Sequence, residues 1–160
     1  NLSRTGLAAD VVLADAREWR PETPPTAILL DAPCSATGTI RRHPELPFIR
    51  DAADLKPLFA LQAELIDHAL GLLPPGGRLV YCTCSLLPEE GERQVEAALA
   101  RHPGLAADPA ALLVDGVDPD WRTSEGGLRL RPDLWPERGG MDGFYIALLR
   151  WPGHRADAVA

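Results

Sequence analysis

The sequence predicts an α/β domain whose sheet is parallel at first and ends in an antiparallel hairpin. Three observations carry this. Two short apolar runs, residues 7–14 and 27–30, each end in an acid, Asp15 and Asp31; continuous runs of that length suit strands covered on both faces. A helical stretch, 55–73, feeds through a Pro-Gly turn into a strand-like stretch, 77–83. The last two strand-like stretches follow each other with no crossover helix between them, so they pair as a hairpin.

Each element has its own signal. The segment 7–14 reads as a buried strand, 21–25 as a Pro- and Thr-rich loop, and 27–30 as a second strand. Residues 31–50 form a long irregular segment with Pro33, Gly38, Pro44 and Pro47, and loops of that length inside a domain are usually functional or disordered. Leu58, Leu61, Leu65, Ala69 and Leu72 recur at helical spacing until Pro74-Pro75-Gly76-Gly77 stops the helix. After the strand at 77–83, Pro88-Glu89-Glu90 places Pro and acids in the first turn of a helix reaching about residue 102. Glu89, Glu90, Glu92 and Glu96 read as its solvated face, with no chemistry assigned. Residues 103–125 are poor in signals and read as loop; 128–130 is a short strand, and 143–151 is the final strand after a turn at Gly139-Gly140.

Composition narrows the function classes. At 160 residues the chain is one domain long and able to bury a core. No apolar run approaches the ~20 residues of a membrane span, and the N-terminus has no signal-peptide pattern. Three cysteines do not make a disulfide scaffold, which favours free thiols in a reducing, cytoplasmic setting. The net charge of −7 argues against a surface that coats polyanions generally. The cations are 15 Arg and the single Lys56, and Arg suits planar contacts to phosphates and bases.

In open α/β sheets, ligands bind beyond the carboxyl ends of strands. Polar groups arrive there after three strands: Asp15, then Asp31 with Cys34, then Cys84 with Ser85. In Asp31-Ala32-Pro33-Cys34-Ser35-Ala36-Thr37-Gly38 a carboxylate is followed by a Pro-fixed backbone, a thiol, two hydroxyls and a Gly that permits a tight turn. A lone Cys is usually a small buried hydrophobe; a second thiol, Cys84, in the matching place after another strand argues against coincidence. Metal binding fits poorly, since Cys82-Thr83-Cys84 is spaced more tightly than zinc-ligand pairs and His43, His68, His102 and His154 are unpaired. A redox pair of Cys34 with Cys84 stays open, although no C-x-x-C motif is present.

The stretch 31–38, followed by Arg41-Arg42-His43-Pro44, then Tyr81-Cys82-Thr83-Cys84-Ser85 with Pro88-Glu89-Glu90, and finally Asp142-Gly143-Phe144-Tyr145, resembles the Nop/Sun group of RNA 5-methylcytosine methyltransferases. Within that group it is most similar to the bacterial branch acting on 16S ribosomal RNA. The resemblance runs over residues 1–151, leaving 152–160 as a tail. It implies a Rossmann-like, S-adenosylmethionine-dependent methyltransferase sheet, ordered 3-2-1-4-5-7-6 with an antiparallel C-terminal hairpin. By motif matching it implies that Cys84 is the nucleophile, that Cys34 assists product release, that Asp31 sits where cofactor and base meet, and that Asp15 lies near the cofactor's adenine.

The chemistry needs these residue types. C5 of cytosine is a poor nucleophile, and a thiolate adding to C6 makes C5 carbanion-like; Cys is both partly ionised near neutral pH and a good leaving group. A group that protonates or hydrogen-bonds N3 offsets the developing charge, a role open to Asp31 if its pKa is raised, and the base must reach the pocket unstacked. Arg41, Arg42 and His43 are candidates to hold RNA phosphates beside the site. No Gly-rich strand–turn–helix precedes Asp15, so the chain reads as the C-terminal part of a catalytic domain that lacks its first two strands. Two expectations follow. Residues 1–160 alone bind S-adenosylmethionine weakly or not at all, and they either self-associate through the bare edge of the strand at 27–30 or leave 7–15 displaced. The competing reading is a non-catalytic RNA-binding or scaffolding fragment.

Overall fold

A computed structural model describes residues 2–49 and 52–152; the expected tail at 153–160 lies outside the described residues. Five strands form one mixed sheet: β1 (Ala27–Asp31), β2 (Arg78–Thr83), β3 (Ala106–Ala107), β4 (Leu128–Leu130) and β5 (Phe144–Arg150). The helices are α1 (Leu2–Thr5), α2 (Leu46–Ile49), α3 (Leu55–Leu72) and α4 (Glu92–Arg101). β1 and β2 are parallel, from Ala27 opposite Arg78 to Asp31 opposite Cys82. β5 runs antiparallel to β2 on one side and to β3 and β4 on the other. The order β1-β2-β5-β4 therefore follows the last four places of the expected sheet.

Strand periodicity builds the core. Tyr145, Ala147 and Leu149 point one way from β5 and are fully buried, as alternation along a strand requires. Leu79 and Tyr81 of β2 join them, and Ile66, Ala69 and Leu70 of α3 with Val95 and Ala98 of α4 close over that face. α3 ends where Leu73 turns extended ahead of Pro74, since a residue before Pro is pushed out of the helical region.

Three expectations change. Residues 7–14 form no strand: they lie exposed without regular structure, with Val11 84% and Leu13 fully exposed. Apolar character alone does not make a strand; the backbone needs a ladder partner, and the outer edge of β1 is unpaired among the described residues. Residues 7–15 thus stand outside the sheet. The helix expected from 88 to 102 is split into a 3-10 turn, Pro88–Glu90, and α4, with Gly91 between them. A Cβ on Gly91 would lie 2.7 Å from the Tyr145 ring, so close approach to β5 explains the break. Finally, the loop 103–125 contains β3, which two alanines gave no means of recognising.

Candidate active site

Because β1 and β2 are parallel neighbours, their carboxyl ends deliver Asp31–Cys34 and Cys82–Ser85 to the same edge. There the sulfurs of Cys34 and Cys84 stand 3.5 Å apart, free and half-buried. Backbone packing sets this approach. The Ala32 amide donates to the Cys82 carbonyl (3.0 Å), and the Gly38 amide donates to the Cys84 carbonyl (2.9 Å). The Gly143 amide in turn donates to the Gly38 carbonyl (2.8 Å). A Cβ on Gly38 would fall 2.0 Å from the Gly143 carbonyl oxygen and 2.9 Å from that of Cys84, so glycine here is a requirement of space.

Hydroxyls and one buried acid complete the joint. Ser35, Thr37 and Ser85 form a hydroxyl cluster at 3.1–3.3 Å, and the Thr37 hydroxyl accepts from the Leu86 amide at 2.9 Å. Glu90 is completely buried, which corrects its assignment to a solvated helix face. Its carboxylate accepts from the Ser35 amide (2.9 Å), the Ser35 hydroxyl (2.5 Å) and Gln62 Nε2 (3.0 Å). These donors offset the penalty of burying the group. The Glu90 carbonyl accepts from the Tyr81 hydroxyl (2.8 Å) and the Thr83 hydroxyl (3.1 Å), anchoring the residue to β2. Glu92 is also no free surface acid: with Arg129 it forms a half-buried ion pair, and the same guanidinium reaches the Ser85 carbonyl. Glu96 is exposed as expected.

The thiols differ in their surroundings. Burial pushes the Cys34 thiol up to about 12, and the neighbouring Cys84 and Glu90 act in the same direction against a hydrogen bond from the Ala36 backbone. Cys82 is 4% exposed; burial first, then the charge of Asp31, raise it to about 11. Its sulfur lies 3.8 Å from Asp31 Oδ1.

Of the residues singled out in the sequence, Cys34, Cys84 and Asp31 meet at this edge. Asp31 is exposed at the end of β1, beside Cys82. Asp15 is not built into it: it pairs with Arg17 at 2.6 Å in the exposed N-terminal segment, and that guanidinium holds it down at about 2. Arg41 donates to the Gly139 carbonyl at 2.6 Å, Arg42 pairs with Asp142, and His43 faces Glu45. The first two thereby tie their loop to the turn that carries Gly143. Glu90, Gln62 and Ser35 are the contributors that sequence reasoning passed over. The available signal was Gly91, which stops Glu90 from sharing a regular helix face with Glu92 and Glu96.

A mixed sheet with the order of a methyltransferase C-terminal half, carrying paired thiols at its carboxyl edge, defines a class, and comparison with known proteins defines the family. Residues 1–150 match the family described as 16S rRNA methyltransferase RsmB/F. The ribosomal RNA small subunit methyltransferase B of Shewanella oneidensis is 40% identical over 152 residues, covering 93% of this chain and 33% of that protein. The crystal structure of PH0851 superposes with a TM-score of 0.76 at 36% identity, over 92% of this chain and 32% of that one. NSun6 from Pyrococcus horikoshii, in a structure with SFG, gives 0.69 at 28% identity, over 94% and 36%. The chain belongs to the RsmB/F family of 16S rRNA methyltransferases. It spans about a third of the length of the curated relatives it matches.

Proposed function

We propose that this chain carries the thiol centre of an S-adenosylmethionine-dependent enzyme that methylates C5 of a cytidine in 16S ribosomal RNA, in the cytoplasm, through a covalent adduct. The observation that carries the reading is the 3.5 Å contact between Cys34 and Cys84 at the ends of two parallel strands. Its supports are the family, the descriptions of the relatives as ribosomal RNA methyltransferases, and a neighbour solved with SFG, an S-adenosylmethionine analogue.

Asp31 fits as a cofactor contact, being an exposed carboxylate beyond a strand's carboxyl end. Asp15 does not fit in this arrangement, because Arg17 already occupies it. When bound, the cofactor supplies an electrophilic methyl group. The Cys84 thiolate adds to C6, forming the S–C6 bond and moving the C5=C6 electron pair onto C5. Asp31, in its protonated form, donates a hydrogen bond to N3 and so offsets the negative charge that develops on the ring. Once C5 is methylated, a water molecule takes the C5 proton, the C5–H electron pair re-forms the C5=C6 bond, the S–C6 bond breaks, and Cys84 leaves as thiolate. Cys34 holds its proton at Sγ, beside the departing sulfur, and assists that release. Arg41, Arg42 and His43 hold phosphates of the incoming strand.

Labelled methyl transfer from S-adenosylmethionine to 16S ribosomal RNA by the full-length enzyme tests this. Cys84→Ala is expected to abolish transfer, and Cys34→Ala to trap a protein–RNA adduct that migrates slowly on a denaturing gel. Transfer that survives Cys84→Ala overturns the mechanism. Loss of transfer in Cys34→Ala without an adduct overturns the division of roles.

A further inference from the structure

The two thiols are near-equivalent by sequence, each following a strand end, yet the proposed reaction requires one to attack and the other to keep its proton. Something in the fold must distinguish them. Glu90 is the candidate: its side chain contacts the Cys34 loop and its backbone is fixed to the strand that leads to Cys84. Both carboxylate oxygens are spent on the residue next to Cys34, one on the Ser35 amide and one on the Ser35 hydroxyl. Gln62 from α3 bridges the same carboxylate to the Pro33 carbonyl, at 3.0 and 2.9 Å. Both flanks of Cys34 are thereby gripped. The other end of the grip is β2, through Tyr81 and Thr83 bonded to the Glu90 carbonyl.

We propose that Glu90 is a positioning residue whose buried carboxylate clamps Cys34 against Cys84 and so sets the two thiols apart. The inference rests on the two-thiol reading of the site and names what sets the two thiols apart. Burial is the largest influence raising the Cys34 thiol, and the nearby Glu90 carboxylate acts in the same direction. Cys84 acts on Cys34 in the same sense. Also facing this corner are Tyr81 and Cys82 of β2, Asp31 of β1, and Arg129 of β4, whose guanidinium is taken by Glu92 and the Ser85 carbonyl. No described cation bonds to the Glu90 carboxylate; its partners are neutral donors.

The test reads thiol chemistry rather than methyl transfer, so it can fail while the proposed activity stands, and the reverse. Peptide-resolved iodoacetamide alkylation is followed against pH in the unsubstituted protein and in Glu90→Gln and Glu90→Asp, with circular dichroism confirming the fold. In Glu90→Gln, which keeps shape and loses charge, Cys34 is expected to react at least about fivefold faster at pH 8, an effect of under one pKa unit, with Cys82 little changed. Glu90→Asp keeps the charge, so Cys34 alkylation stays within about twofold of the unsubstituted rate. Its shorter arm loosens the clamp, so diamide oxidation of Cys34 and Cys84 to a disulfide slows, since that bond needs the sulfurs in contact. An unchanged Cys34 rate in folded Glu90→Gln overturns the proposal, as does undiminished disulfide formation in folded Glu90→Asp. Should neither variant fold, Ser35→Ala, which removes the hydroxyl half of the grip, decides: undiminished disulfide formation in folded Ser35→Ala overturns the proposal, and a slower rate supports it.

Discussion

Gly38→Ala is the perturbation that most directly tests how the site is held. An added Cβ would sit 2.0 Å from the Gly143 carbonyl oxygen, 2.6 Å from its carbon and 2.9 Å from the Cys84 carbonyl oxygen. All three are backbone atoms, so no side chain can swing away. Restoring ordinary contact means opening the joint by roughly 1.4 Å, which breaks the Gly38–Cys84 and Gly143–Gly38 hydrogen bonds. Each buried group left unpaired costs about 1–3 kcal/mol, and the overpacking itself adds about 1–3 kcal/mol. A loss near 4 kcal/mol is expected, a large share of a typical domain's 5–15 kcal/mol. With a urea slope of about 2 kcal/mol per molar, the unfolding midpoint should fall by about 2 M. Gly71→Ala is the internal control: it lies in α3, an added methyl there would meet nothing within 4 Å, and the substitution should gain about 0.5–1 kcal/mol from helix propensity. A Gly38→Ala midpoint within about 0.5 M of the unsubstituted chain would refute the reasoning.

Three further outcomes are expected. Ala36 sits in the left-handed region at φ 59°, where a non-glycine residue costs about 1–2 kcal/mol; Ala36→Gly should therefore raise the thermal midpoint by a few degrees, and a lower midpoint contradicts the strain. Cys82 keeps its proton in the folded state up to about 11, whereas an unfolded thiol loses it near 9. Its contribution is thus complete below pH 9 and is lost as pH rises from 9 to 11, and Cys82→Ala should flatten the fall of the urea midpoint across that window; identical slopes would show that Cys82 is not the group responsible. The outer edge of β1, unpaired among the described residues and with Leu29 70% exposed, is expected to pair with a second copy. Light scattering should then give more than one chain's mass for the unsubstituted protein and a monomer for Leu29→Lys, and a monomer in both cases would remove the edge from consideration.

What the sequence made legible was what local pattern controls. The helix at 55–73, the strands at 27–30, 77–83, 128–130 and 143–151, and the meeting of Cys34 with Cys84 all follow from periodicity, turn residues and the geometry of parallel strand ends. The failures share one cause, long-range partnership. Residues 7–14 look like a strand to any local measure, but strand formation is decided by a neighbour 20 or more residues away or absent from this chain. Two alanines form β3 only because the end of β5 offers Leu149 and Arg150 as partners. Glu90 was read as solvated because acids at a helix start usually are; Gly91 redirects it inward, and only the three donors waiting there reveal why a carboxylate belongs in the core.

The same long-range partnership explains why the site tolerates having its two thiols on different strands. Neither Cys34 nor Cys84 is placed by its own loop alone. Strand pairing brings the ends together, the Gly38–Cys84 and Gly143–Gly38 bonds add β5 as a third support, and Glu90 joins the thiol loop to β2 and α3. These supports are backbone contacts and buried hydrogen bonds, which are lost together rather than one at a time. Weakening any one of them should therefore move the Cys34–Cys84 distance before it unfolds the sheet, because the sheet retains its own core of Leu79, Tyr81, Tyr145, Ala147 and Leu149. Disulfide formation between the two sulfurs reports that distance, and unfolding midpoints report the core. In a series of Ser35 and Glu90 variants the two measures should separate, with disulfide rates falling in variants whose sheet is still folded; a strict proportionality between them would mean that the site and the sheet are one cooperative unit.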